Sequence, residues 1–501
     1  MSDNSGLIVA ALLATAPELA GDIDAQGAWK SSLTQEGARV ALYRKYEEGE
    51  HRSGITDQMK AMLRISDDAS GINDFNDNYC EIIVEKMAGR LHVNEISLKD
   101  DSDDENWLAP ILERNGWEAL QGSVYRAAIR DGNGYVMVDP LTLKWTSEAA
   151  YDGFDGLVTI FDKGGLTPLW ACKLWSASAD EADGYASMME LEVYQPNTLS
   201  YWKGAEGEDS VTAMLSAPTP EGELPTNFEE WKLGLVPILR FMNKQNNYAT
   251  TGRSELRPAI PLQDTLNRTL HSMVMASEFS AFMVKWAIGM PIDASKVTPG
   301  AVINLFLKDA SGSVAIDPET AAFLKSVSVG EFGTTDLNQY IIQINSIARE
   351  ASHVTQTPIY GVTTEGQVSG EALQQLEIGL IGKCIRFQRD NSDTVRALIR
   401  LTAEMQKVFD TEIEGSPPIV DSITIKWQSP ELLDSNATIS MLIVMRKDAP
   451  GLWDDDFYRQ RIGELMGLSS DDIQTESDKS VQSQSNAFLT LTGGAGNIPV
   501  V

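Results

Sequence analysis

The sequence is poor in the residues that most often carry out chemistry. Its 501 residues include only four histidines and three cysteines. Cys80, Cys172 and Cys384 stand far apart and no CxxC occurs. That spacing supports neither a zinc knuckle nor a disulfide framework, and three buried, reduced thiols are expected. His51, His92, His271 and His353 form no HExxH and no triad segment. For His271 and His353, on two predicted helices, a surface or interface role is expected. No uncharged run reaches the ~18 apolar residues of a membrane span. The apolar stretch Leu7 to Ala16 follows Asp3 and no basic segment, so it reads as a short helix and not as a secretory signal. Positive charge is also scarce: 40 Lys and Arg face 72 Asp and Glu, a net charge of -32. Such a balance excludes simple wrapping on nucleic acid, where cations must neutralise phosphates. It suits a soluble chain kept from sticking to DNA or to itself.

What is present is a globular share of apolar residues, 43%, in a length that suggests about three domains. Residues 1–55 read as helical. A helix is predicted over Asn73–Leu91 from the spacing of Tyr79, Ile82, Ile83, Met87 and Leu91. DDSDDE at 100–105 lacks the glycine and distal Glu of an EF-hand and reads as a solvated acidic loop. One helix is predicted from Trp107 to Ile129, and DGNG (131–134) turns it into the strand YVMVD (135–139). From there to about 242 short strand patterns recur: LVTIF, LWACKLW, LEVYQ and LSYW. The tryptophans among them fit packing between layers better than sugar stacking.

After residue 242 the texture turns helical. Residues 262–282 place Leu262, Leu266, Leu270 and Met273 on one face, and 334–354 space Leu337, Ile341, Ile344 and Ile347 by three or four. Between them lies an insert at about 283–330 with VKWAIG, AVINLFL and SVAI as short strands. A loop of small residues, 357–368, then precedes a helical stripe of about forty residues that Ser369 caps. At 1.5 Å per residue that helix spans about 60 Å, with a kink expected near Asp390–Ser392. GLIGKC at 379–384 lacks the spacing of a phosphate loop. SITIKW (422–427) reads as a strand returning to the β-rich unit, followed by helices at 430–446 and 454–467 and a polar tail from Ser469. Basic islands interrupt the acidic chain: Arg240, Lys244, Arg253, Arg257 and Arg268 face only Glu255 and Asp264, and the long helix carries Lys383, Arg386, Arg389, Arg396 and Arg400. They suit either a DNA-facing lining or pairing with acidic groups of a neighbouring subunit, and pairing is the favoured reading.

Two segments resemble the portal proteins of tailed bacteriophages. The first is GLVPILRFMNKQNNYATTGRSELRPAIPLQDTLNRTLHSMVMASEFSA, with Val236–Pro237, Asn243, Gly252–Arg253–Ser254, Asp264 and Asn267 in the family's order. The second is TPIYGVTTEGQVSGEALQQLEIGLIGKCIRFQ, with Ser369–Gly370 and Ala372–Leu373. The match in order and spacing covers about 234–428, and more weakly 73–140. The resemblance implies an α+β portal-type fold with these divisions: N-terminal region and wing 1–257, stem helix 258–280, α/β clip 281–332, stem helix 333–356, tunnel loop 357–368, long kinked helix and wing return strand 369–428, helical crown 429–470 and a mobile tail 471–501. It implies a homo-oligomeric ring, commonly of twelve subunits, at one capsid vertex of the virion, assembled in the host cytoplasm. Its partners would be double-stranded DNA in the channel, the terminase motor, major capsid and scaffolding proteins, and head-completion or adaptor proteins, with no membrane. The tunnel-loop residues Val362, Thr363, Thr364, Glu365, Gly366 and Gln367 would face the DNA. Arg253, Arg257, Arg268, Lys383, Arg386 and Arg389 would lie at subunit interfaces or towards DNA. No catalytic, cofactor or metal residue is expected, and no enzyme activity. The alternatives are another oligomeric phage head or adaptor protein, or a carboxylate-dependent hydrolase built among the tryptophans of 139–231.

Overall fold

A computed structural model describes residues 4–21, 23–51, 76–98, 102–139, 142–162, 167–177, 188–196, 198–205, 234–245, 251–281, 285–288, 328–331, 336–359, 370–409, 423–431, 444–445 and 461. The chain divides into two units, Met1–Gln428 and Ser429–Val501. In the second, residues 444–445 and 461 are helical; the rest of the two helices expected there, and the tail, lie outside the described residues.

The first unit opens with helices α1 (Ser5–Thr15), α2 (Pro17–Ala20) and α3 (Ile23–Glu47). A four-stranded antiparallel meander follows the order β4-β5-β6-β7, formed by β4 (Gly156–Phe161), β5 (Pro168–Ala177), β6 (Met188–Gln195) and β7 (Thr198–Ala205). Alternate residues Trp170, Cys172 and Leu174 of β5, with Leu191 and Val193 of β6, are buried on one face. Leu7, Ile8, Ala11 and Leu12 of α1 cover that face, so the apolar N-terminal stretch is a helix packed on a sheet. Trp170 donates its indole N–H to Thr15 Oγ1 at 3.0 Å. Trp107 and Trp145 are likewise buried, and donate to Gln406 and Thr402 of the long helix. These three tryptophans thus serve packing, each with its polar atom satisfied.

Several expectations on the next stretch need correction. Helix α4 runs Tyr79–Ala88; it starts later than expected because the Asn78 side chain caps it, accepting from Glu81 N. The single helix expected over 107–129 is two, α5 (Ser102–Arg114) and α6 (Trp117–Asp131). Gly116, at φ +55°, makes the left-handed break between them. Because α5 begins at Ser102, Asp103, Asp104 and Glu105 lie in helix and not in a loop.

The central sheet has the order β3-β2-β8, from β2 (Asn133–Val138), β3 (Trp145–Glu148) and β8 (Ile238–Met242). It packs between α6 and the long helix α9 (Gly370–Phe409). Tyr125 of α6 sits at the centre, its ring 5.5–5.6 Å from Phe241, Phe387 and Trp427. The strand expected over 422–427, β11 (Ile423–Trp427), does not join the β-rich meander. It pairs antiparallel with β1 (Val93–Leu98) in a two-stranded sheet of its own. Residues Asp390–Ser392, where a kink is expected from the weakened stripe, lie within continuous helix. Asn391 and Ser392 bond back to the carbonyls of Phe387 and Gln388. They also tie the helix to its neighbours: Asn391 accepts from Met242 N and donates to the Met242 carbonyl, and Ser392 accepts from the Trp427 indole.

Helices α7 (Ile260–Ala281) and α8 (Asn338–Thr355) pack on each other. Leu266, Leu270, Ala348 and Ala351 form a small core between them, closed by Tyr79 and Ile359. Strands β9 (Lys285–Ile288) and β10 (Ser328–Glu331) pair antiparallel, bringing the two ends of the insert together. AVINLFL and SVAI lie outside the described residues.

Candidate functional site

A buried polar cluster lies where the paired helices α7 and α8 meet the body. Its hub is Glu255, which is fully buried. Lys244 Nζ lies 2.9 Å from one carboxylate oxygen and Lys383 Nζ 2.9 Å from the other. The Asn243 amide donates to Glu255 Oε1 at 3.1 Å. Lys383 reaches further, donating to the Thr355 carbonyl at 2.7 Å and to Thr357 Oγ1 at 3.0 Å. One ammonium therefore closes the C-terminal end of α8, whose last carbonyls have no partner in the helix. Burial pushes the Glu255 carboxyl up, but Lys383 and Lys244 together hold it below the ordinary carboxylate value. Burial also pulls the Lys383 ammonium below the usual lysine value, with Glu255 opposing.

The loop carrying Glu255 is held by its backbone. Arg253 N donates to the Asn243 carbonyl and Glu255 N to that of Ile129. Gly252 N donates to Asn133 Oδ1, and the Asn243 amide to the Arg253 carbonyl. A Cβ on Gly252 would lie 2.0 Å from the Gly132 carbonyl oxygen, so glycine is required by the close approach of two chains.

A second set of contacts fastens α7 to the N-terminal helices. Buried Gln263 donates to the Asp77 carbonyl at 2.6 Å and accepts from Tyr79 N at 3.0 Å. Asn267 accepts from Asp77 N and bonds His51 Nδ1 at 2.9 Å. The Tyr46 hydroxyl donates to Asp264. Burial pulls His51 below its usual value, with the Tyr46 carbonyl and Asp264 opposing. Asn243, Asp264 and Asn267, all in the quoted motif, are thus joints of these two sets of contacts, and Ser254 Oγ accepts from Leu256 N within the loop.

Of the six cations singled out in the sequence, Lys383 is turned into this junction within its own chain. Arg386 lies 3.6 Å from Asp390 and donates to the Gln245 carbonyl, and Arg389 pairs with Asp390 at 3.1 Å. Arg253, Arg257 and Arg268 are exposed. Val362, Thr363, Thr364, Glu365, Gly366 and Gln367 lie outside the described residues. His353 is exposed as expected, whereas His271 is buried. Glu255 itself was not singled out. The available signal was a lone glutamate among five cations, which marks a charge with partners at hand.

The cluster offers no nucleophile with a base beside it. All three cysteines are buried and free; burial pushes Cys384 up to about 11 and Cys80 up to about 12, so both are thiols. Among the described residues no group of three or more His, Cys, Asp or Glu is placed to hold a metal ion. Among them, too, no helix is long and apolar enough to cross a membrane. The arrangement is one of fastening: a buried charge network ties two projecting helices to a sheet and a long helix.

The sequence matches a known family. The family model described as phage portal protein, SPP1 Gp6-like, matches residues 70–450. The chain belongs to this family. No curated protein matches. Among solved structures, the neck of an empty gene transfer agent particle computed with C6 symmetry shares 13% identity over 83% of this chain and 95% of that one, with a TM-score of 0.36. The virion of a native gene transfer agent particle gives 13% identity over 78% and 88%, with a TM-score of 0.34.

Proposed function

We propose that the chain forms a ring of about twelve copies at one capsid vertex, a non-enzymatic channel through which DNA is packaged by a separate terminase and later leaves. The observation that carries this reading is the family match over residues 70–450, which includes the two fastened helices and the long helix. In this reading α7 and α8 are the stem, and the insert closed by β9 and β10 is the clip that meets the motor and then the head-completion proteins. Residues 357–368 form the tunnel loop. Gly361 and Gly366 leave its backbone free to change, while Thr363, Thr364 and Gln367 offer polar contacts without base readout. The long α9, about 60 Å from end to end, spans the ring wall beside that loop. The protein resides in the virion and passes through the host cytoplasm during assembly.

Native mass spectrometry with negative-stain imaging of the purified protein tests this directly. The expected result is a ring of about a dozen copies with an axial opening wider than duplex DNA. A closed assembly without an opening would point to another head or adaptor protein. ATP hydrolysis by the chain alone would argue against a passive conduit.

A further inference from the structure

We propose that a cleft between α3, β4 and the loop 251–257 is a socket for carboxylates of a second copy of this chain, and that Arg39, Arg253 and Arg257 grip them. The inference rests on the ring reading above, and it assigns an interaction surface that the family match does not.

The cleft has a volume of about 440 Å³ and is lined by four arginines, Arg39, Arg240, Arg253 and Arg257, against two carboxylates, Glu36 and Asp131. Asp131 is already spent: Arg130 reaches both its oxygens at 2.8 Å and Arg44 lies 3.6 Å away. Arg240 is buried with its guanidinium 3.7 Å from the centre of the Phe161 ring. Arg39, Arg253 and Arg257 are exposed and make no side-chain hydrogen bond or ion pair among the described residues. Three guanidiniums surround one opening with only Glu36 left among the cleft's carboxylates to offset them, so their mutual repulsion favours further anions between them.

Their presentation is rigid. Arg253 is fixed at both backbone ends, its N–H on the Asn243 carbonyl and its own carbonyl accepting from the Asn243 amide. Two residues on, Glu255 anchors the loop in the buried junction. A preorganised fork of this kind suits bidentate capture of carboxylates and loses little freedom on binding.

Charge complementarity names the occupant. With 72 acidic residues against 40 basic ones, carboxylates are the charged groups that a neighbouring copy offers in greatest number. Duplex DNA fits less well: its phosphates run in a continuous row, whereas the three arginines converge on one cleft of about 440 Å³.

The test uses assembled full-length protein from a mixture of isotopically heavy and light chains. Arg253→Lys/Arg257→Lys keeps the charge and introduces amines, and a zero-length carbodiimide then joins them to any carboxylate in contact. Mixed heavy–light cross-links from these two positions to Asp or Glu are expected. In parallel, Arg39→Ala/Arg253→Ala/Arg257→Ala should lower the assembled fraction by at least about tenfold at low salt, with the effect fading as salt screens the wild type. A ring whose introduced amines cross-link only within one chain, or not at all, overturns the socket and leaves the ring reading intact. A triple variant that assembles normally but loses retention of a short DNA duplex overturns it in favour of phosphate binding. A wild type that stays monomeric overturns both readings together.

Discussion

Lys383 stands on a helix that the sequence marks as basic, yet its side chain is only 9% exposed. Its ammonium is shared between the Glu255 carboxylate and the end of α8. Two ions taken from water lose several kcal/mol each, which their attraction recovers only while both are present. Lys383→Met should therefore cost about 3–5 kcal/mol, read as a lower urea midpoint at unchanged slope. Glu255→Gln should cost a similar amount, and the double variant less than the sum, because the two remove one network. The same pair sets a pH dependence. Glu255 ionises more readily folded than unfolded, so its contribution is present above the ordinary value of 4.5 and is lost as pH falls through the lower folded value. Wild type and Glu255→Gln should thus converge in stability as pH drops below 4.5. A constant gap across that range would mean that Glu255 contributes packing and not charge.

At the scale of elements, the decisive piece is the loop that joins β8 to α7. Its described residues form no helix or strand, and it is held by the Gly132–Gly252 approach and by Asn243. Gly252→Ala should displace it and cost about 1–3 kcal/mol, the range for a side chain forced into filled space. Hydrogen exchange should show faster opening at Arg253 N and Glu255 N, while the β4–β7 meander stays protected. Unchanged exchange would mean that the loop adjusts without strain. The paired helices, the meander strands and the long helix are all legible in the sequence, because their apolar residues recur with periods of 3.6 or 2. The β1–β11 pair is not, since VNEISL shows no clean alternation and its partner lies more than 320 residues on. Nor is the junction: Glu255 and Lys383 are 128 positions apart, and no local pattern links them. The break at Gly116 was legible in principle, since Asn115–Gly116 is a turn pair lying within an otherwise regular stripe.

At the scale of the whole molecule, net charge becomes a property of the assembly. Twelve copies at -32 each would carry about -380, a field that keeps polyanionic DNA from lodging on the channel wall. Contact with moving DNA would then be confined to the tunnel loop, where Glu365 adds further repulsion. Glu365→Lys reverses one charge per chain and changes such a ring by about +24, concentrated at one level of the channel. The variant should assemble with the wild-type mass, because no residue of the junction or the arginine cleft is substituted. It should nevertheless retain short DNA duplexes that the wild-type ring releases. That retention should weaken steeply as salt is raised, because each phosphate contact releases condensed counterions. Gel retention of labelled duplex at several salt concentrations measures it. Retention that is independent of salt, or equal in both rings, would separate this loop from the DNA path and return the choice between conduit and closed connector to the imaging of the ring.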